Sequence, residues 1–152
     1  MKIALAGHHL ALYVPSRTRR GRKSFRGVTP DAMLTVAVNF FAYEFGGATV
    51  VAARGHHVQG NPPRRTEEDV HIVSAFATRP ALRRHLPTLQ ELAADFCVRF
   101  EQESVAYEID GVFRLVAPPS GYLERSRWLQ TWAPGKHRGP TRAWMRYAAL
   151  TP

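Results

Sequence analysis

The sequence predicts an α+β fold: a ferredoxin-like βαββαβ arrangement with an added C-terminal hairpin strand and a basic, Trp-rich helical tail. Three observations predict it. Stretches of two-residue and of three- to four-residue apolar period follow one another in the order β-α-β-β-α-β. An Asp110-Gly111 pair sits between the last two strand-like runs, where a tight hairpin turn wants it. The composition then changes at residue 117.

The first strand lies within residues 2–14, where Leu10, Leu12 and Val14 alternate with His9, Ala11 and Tyr13 and Pro15 ends the run. Residues 16–27 form a basic loop with six Lys+Arg and no acid. A helix follows. Thr29 suits the cap, Pro30 the first helical position and Asp31 the positive helix end. Met33, Val36, Ala37, Phe40 and Phe41 form its apolar stripe, and Gly46-Gly47 its stop. Residues 48–58 read as the second strand, QGNPPRRTEE as a turn, and 69–77 as the third strand. A second helix falls within 79–101, with Leu82, Leu86, Leu89, Ala93, Phe96 and Phe100 on one face. Pro87 should kink it or mark its true start. Residues 104–116 are the hairpin. Right-handed crossovers then give the strand order 4-1-3-2, all antiparallel, with both helices on one face. The domain boundary falls at 116, with an extension over 117–152.

The chain of 152 residues is long enough for one core. A net charge of +9 favours acidic partners. Of 21 basic residues only three are Lys, and a guanidinium fork suits phosphate and carboxylate; an Arg-rich codon bias explains the same count equally well. The single Cys97 excludes an intrachain disulfide and reads as a buried small hydrophobe. No apolar run reaches the roughly 18–20 residues that span a bilayer, and the N-terminus lacks a signal-peptide pattern. These features lead to the expectation of a soluble cytoplasmic protein with no membrane partner.

The stretch GHHVQGNPPRRTEEDVHIV at 55–73 raises the question of a site. The expected topology brings the basic loop, His56-His57, the acids Glu67, Glu68 and Asp69, and Glu101-Gln102-Glu103 to one end of the sheet. Carboxylates with His can hold a divalent ion and activate water. This makes Glu68, Asp69, Glu103 and His57 the candidate catalytic residues of a metal-dependent nuclease. Against it, adjacent histidines on a strand point to opposite faces, and no metal motif is present, so no metal ligand is assigned.

The runs FGGATVVAARG, EEDVHIV and QESVAYEIDG resemble a group of small uncharacterised microbial proteins. These share a Gly-Gly-Ala-Thr strand start, a Glu-Asp-Val third-strand start and a Gln-Glu-x-Val fourth-strand start. The resemblance covers roughly residues 45–116 and departs from the group at His56-His57, where an aromatic is expected. It implies the same fold and no assigned activity. The group's recurring acids are matched here by Glu68, Asp69, Gln102 and Glu103.

The leading expectation is a non-catalytic nucleic-acid-binding module, for DNA or RNA, of the kind carried as an accessory protein by a phage or mobile element. Arg17, Arg19, Arg20, Arg22, Lys23 and Arg26 would contact phosphate, assisted by Arg125, Arg127, Arg138 and Arg142, while Trp128, Trp132 and Trp144 would stack on bases. The Trp rings could equally cover the open sheet face. The alternatives are a protein-interaction or inhibitor module docking through the Arg/Trp tail or the sheet face, and the metal-dependent nuclease. No cofactor is expected beyond a divalent metal in the nuclease case. A homodimer through the open sheet face is expected as well.

Overall fold

A computed structural model describes residues 7–16, 30–117 and 146–150. The elements are β1 (His8–Pro15), α1 (Pro30–Phe45), β2 (Thr49–Gln59), β3 (Arg64–Ala77), α2 (Arg79–Arg99), β4 (Val105–Ile109) and β5 (Val112–Val116). The chain is α+β, and its five strands form one antiparallel sheet in the order β2-β3-β1-β4-β5.

β1 is the central strand. Its alternation decides which face is covered. Leu10, Leu12 and Val14 are fully buried, against the stripe Met33, Val36, Ala37, Phe40 and Phe41 of α1 and Leu89, Ala93 and Phe96 of α2. The opposite parity, His9, Ala11 and Tyr13, faces away from both helices. Burying these seven large α1 and β1 side chains at roughly 1.5–3 kcal/mol each makes this a major stabilising contact.

Local chemistry sets the element ends. Pro30 opens α1 and Asp31 stands in its first turn. Gly46 adopts φ +82° and its N–H reaches the Ala42 carbonyl at 3.0 Å, so glycine supplies the left-handed stop that a side chain would strain. α2 is capped by the Thr78 hydroxyl, which accepts from the Ala81 N–H at 3.4 Å. Pro87 lies inside α2, so it neither starts nor ends the helix. Asp110 and Gly111 both have positive φ, 50° and 79°, as a two-residue hairpin turn requires.

The β2–β3 hairpin differs from the sequence expectation. Only residues 60–63 turn, and β3 begins at Arg64 rather than at 69. The run RRTEE is strand because it alternates opposite GHHVQ, with Arg54 bonded to Glu67 at 2.8 Å across the pair. The hairpin therefore extends past β1, which ends opposite Val70.

Residues 146–150 return to α1. Asn39, buried in α1, donates its amide to the carbonyls of Tyr147 (2.9 Å) and Leu150 (3.0 Å). The Tyr147 ring is buried edge-on to Phe40, and its hydroxyl donates to Glu44 at 2.8 Å. Burial and the neighbouring Glu44 carboxylate push the Tyr147 hydroxyl well above its ordinary range. Glu44 also meets Arg146 at 2.9 Å and His85 of α2 at 3.1 Å. This end of the chain thus sits on the helical side, not on the open sheet face. Among the described residues no helix is long and apolar enough to cross a membrane.

Replacing Asn39 with Ala leaves one buried and one half-buried carbonyl without this donor. The expected cost is about 1–3 kcal/mol, read as a lowered midpoint in urea with an unchanged slope; an unchanged midpoint refutes the role given to Asn39.

Candidate functional site

The open face is built by strand parity. One row across the sheet runs Phe113, Glu108, Ala11, Ser74 and Thr49, each opposite the next. His9 pairs with Phe76 on one side of this row, and Tyr13 with Ile72 on the other. Ala11 is only 1% exposed although it faces away from the helices, so its neighbours close over it. It is the floor of a shallow cradle.

The walls are aromatic and the centre is charged. His9 lies against Phe76 with ring centroids 5.2 Å apart, and Tyr13 against Phe113 at 5.2 Å. Between these pairs the Glu108 carboxylate accepts the Tyr13 hydroxyl on Oε2 at 3.0 Å, and its Oε1 stands 3.8 Å from His9 Nδ1. Burial first, then the bond to Glu108, raises the Tyr13 hydroxyl above its ordinary range, so it stays a donor. At the hairpin end of the cradle His8 Nδ1 meets Asp110 Oδ2 at 2.6 Å, and Asp110 Oδ1 accepts the His9 N–H at 2.8 Å. Both bonds hold the Asp110 carboxyl below its usual value.

The residues singled out from sequence fall elsewhere, in two groups. Glu68 belongs to the open face, opposite Gly55 and diagonal to His57, which pairs with Thr66. Half-burial raises its carboxyl and His57 partly offsets this. Asp69 points to the other face. There Arg54 reaches Glu67 at 2.8 Å and Asp69 at 3.4 Å, and His56 stands 4.0 Å from Glu67. These pairs are exposed and contribute little to stability. The end of β1 lies beside these acids, since Ser16 gives its N–H (3.2 Å) and its hydroxyl to the Asp69 carbonyl. Glu103 is exposed in the turn before β4, the strand that flanks β1 on its other side.

The nuclease reading needed Glu68, Asp69, Glu103 and His57 around one ion. Consecutive strand residues face opposite ways, so Glu68 and Asp69 cannot share it. Among the described residues no group of three His, Cys, Asp or Glu could hold a metal. The phosphate contacts expected of Arg17, Arg19, Arg20, Arg22, Lys23, Arg26, Arg125, Arg127, Arg138 and Arg142, and the stacking expected of Trp128, Trp132 and Trp144, lie outside the described residues. The cradle residues His9, Tyr13 and Glu108 were not singled out. The signal was their shared parity around Ala11, which needs the β1–β4 pairing to become visible.

No family model and no curated protein matches this chain. Two solved structures share its fold. One is a phage SAM lyase in complex with S-methyl-5'-thioadenosine: 16% identity, a TM-score of 0.53, covering 79% of this chain and 96% of that one. The other is a phage SAM lyase in the apo state, at 18% identity and a TM-score of 0.50, covering 78% and 95%. This finding corrects three expectations. Both neighbours are enzymes, which stands against the non-catalytic nucleic-acid-binding module and, with it, the preference for no catalysis. Both are SAM lyases, which stands against the protein-interaction and metal-dependent nuclease alternatives. One of them holds an organic nucleoside, which stands against the expectation of no cofactor beyond a divalent metal.

Cys97 is buried, and its Sγ donates to the Val116 carbonyl at 3.1 Å. Burial pushes its thiol up to about 12. The native chain should resist alkylation by iodoacetamide at pH 8, while the urea-unfolded chain reacts at the rate of a free thiol. Equal rates in the two states would contradict this burial.

Proposed function

We propose that this chain is a lyase that cleaves S-adenosylmethionine to S-methyl-5'-thioadenosine on the open face of its sheet. The observation that carries this reading is the fold shared with an S-methyl-5'-thioadenosine-bound SAM lyase across most of both chains. The strand order β2-β3-β1-β4-β5, antiparallel throughout, supports reading that fold as ferredoxin-like with an added fifth strand.

The cradle has the chemistry such a substrate asks for. Two ring pairs offer faces for a purine, and a carboxylate stands between them. In the reaction the bond from sulfur to the methionine side chain breaks. The electron pair stays on sulfur and a neutral thioether leaves, while the substrate's own carboxylate oxygen bonds to the carbon that sulfur leaves and closes a cyclic ester, so no water is added. The face continues from Ile72 through Val70 to Glu68, about 13 Å along β3 at the usual strand rise. The ammonium of a substrate whose sulfur lies between the ring pairs is only three carbons from that sulfur and falls short of Glu68, which stays outside the site.

The open face also carries exposed Val51, Phe76, Phe113 and Leu115. A second copy of the chain seated there would roof the cradle and exclude water. Light scattering at micromolar concentration should give the mass of a dimer, and a monomer under those conditions removes the homodimer from the proposal.

Incubating the chain with S-adenosylmethionine should accumulate S-methyl-5'-thioadenosine, one molecule per substrate consumed, by reversed-phase chromatography. Absence of that product overturns the reading. Glu68→Gln should leave kcat/KM unchanged within about twofold; a tenfold loss would move the substrate toward that end of the face.

A further inference from the structure

Glu108 raises a question that the shared fold does not answer. The chain carries a net charge of +9. A sulfonium is a cation, so the overall field opposes its approach. Any site for it must therefore be local and negative. Among the described residues, the three rows around Ala11 contain no Lys or Arg, and Glu108 is the acid at their centre.

The carboxylate is prepared asymmetrically. Oε2 is taken by the Tyr13 hydroxyl at 3.0 Å, which fixes the group's orientation. Among the described residues, Oε1 has His9 Nδ1 near it, at 3.8 Å, beyond hydrogen-bond reach. The side chain is 21% exposed, enough for a ligand to touch and low enough to strengthen a charge contact. The ring pairs His9/Phe76 and Tyr13/Phe113 stand on either side. Ring faces attract cations as well as purines.

We infer that the Glu108 carboxylate reads the positive charge at the sulfur position, so that this face selects adenosyl sulfonium and similar cationic nucleosides over neutral thioethers. The inference rests on the reading that the substrate lies on this face. It deepens that reading by naming what the site distinguishes. A carboxylate here attracts the ground-state cation more than the transition state, in which the charge is fading. Glu108 thus supplies affinity and selectivity rather than rate. The same contact weakens once cleavage has made the sulfur neutral, which favours product release.

The test uses calorimetric binding of three probes to the full chain. Sinefungin carries an uncleavable ammonium at the sulfonium position, S-adenosylhomocysteine a neutral sulfur there, and S-methyl-5'-thioadenosine reports the folded cradle. The wild-type chain should bind sinefungin about tenfold tighter than S-adenosylhomocysteine, the size of one partly desolvated charge contact. Glu108→Gln should abolish the preference while still binding S-methyl-5'-thioadenosine. Ser74→Lys adds a like charge two strands away in the same row without touching the Tyr13–Glu108 bond, and should abolish the preference independently. Equal affinities in the wild type, a preference that survives both substitutions, or no binding of any probe overturns the inference. The two proposals fail separately. Turnover with equal affinities leaves the lyase and removes the role of Glu108. A charge preference without turnover does the reverse.

Discussion

Everything described here depends on the two-sidedness of β1. As the middle strand it is paired on both edges, with β3 along its whole length and with β4 at Leu10, Ala11 and Leu12. Its two faces then have opposite duties. Leu10, Leu12 and Val14 anchor both helices, while His9, Ala11 and Tyr13 form the floor and part of the walls of the cradle. A shift of register by one residue would exchange the two sets, placing imidazole and phenol under the helices and leucines in the cradle. Core and site are therefore held by the same eight residues.

Much of the fold was legible in the sequence for this reason. Helix stripes, the Asp110-Gly111 turn and the β1 alternation are local signals, and each matches the element observed. The arm was not legible. QGNPPRRTEE carries turn residues throughout, but the chain turns only at 60–63, because Arg54 and the acids opposite it favour continued pairing. Pro87 did not mark the start of α2: the helix runs from Arg79 to Arg99 through it, with Leu82, Leu89 and Phe96 in the core on both sides. The open face was partly legible; the cradle on it was not. Glu68 drew notice as an acid beside a histidine, and it is half-buried on the open face. Asp69 drew notice equally and lies on the other side. His9, Tyr13 and Glu108 come from strands about a hundred residues apart, so no spacing in the sequence could join them.

The helical side has its own polar centre, separate from the cradle. Glu44 collects the Tyr147 hydroxyl, Arg146 and His85, and Asn39 holds the adjoining backbone. A nearly buried carboxylate with three donors is stabilised only while all of them stay in place. This couples α1, α2 and the end of the chain into one unit. The sheet face opposite is left free of that duty.

The overhanging hairpin gives β3 a divided character. From Val70 to Ala77 the strand is flanked on both edges, by β1 and β2. Among the described residues, its ladder partner from Arg64 to Asp69 is β2 alone, apart from the contact with Ser16. Isolated two-stranded ribbons are marginal in water, so one continuous strand holds a firm half and a loose half, each with its own opening free energy. Glu68 belongs to the loose half, and Ile72 and Ser74 to the firm one. An acid mounted in this way stands where the strand opens more easily and the cradle where it opens less, with the boundary at Asp69–Val70.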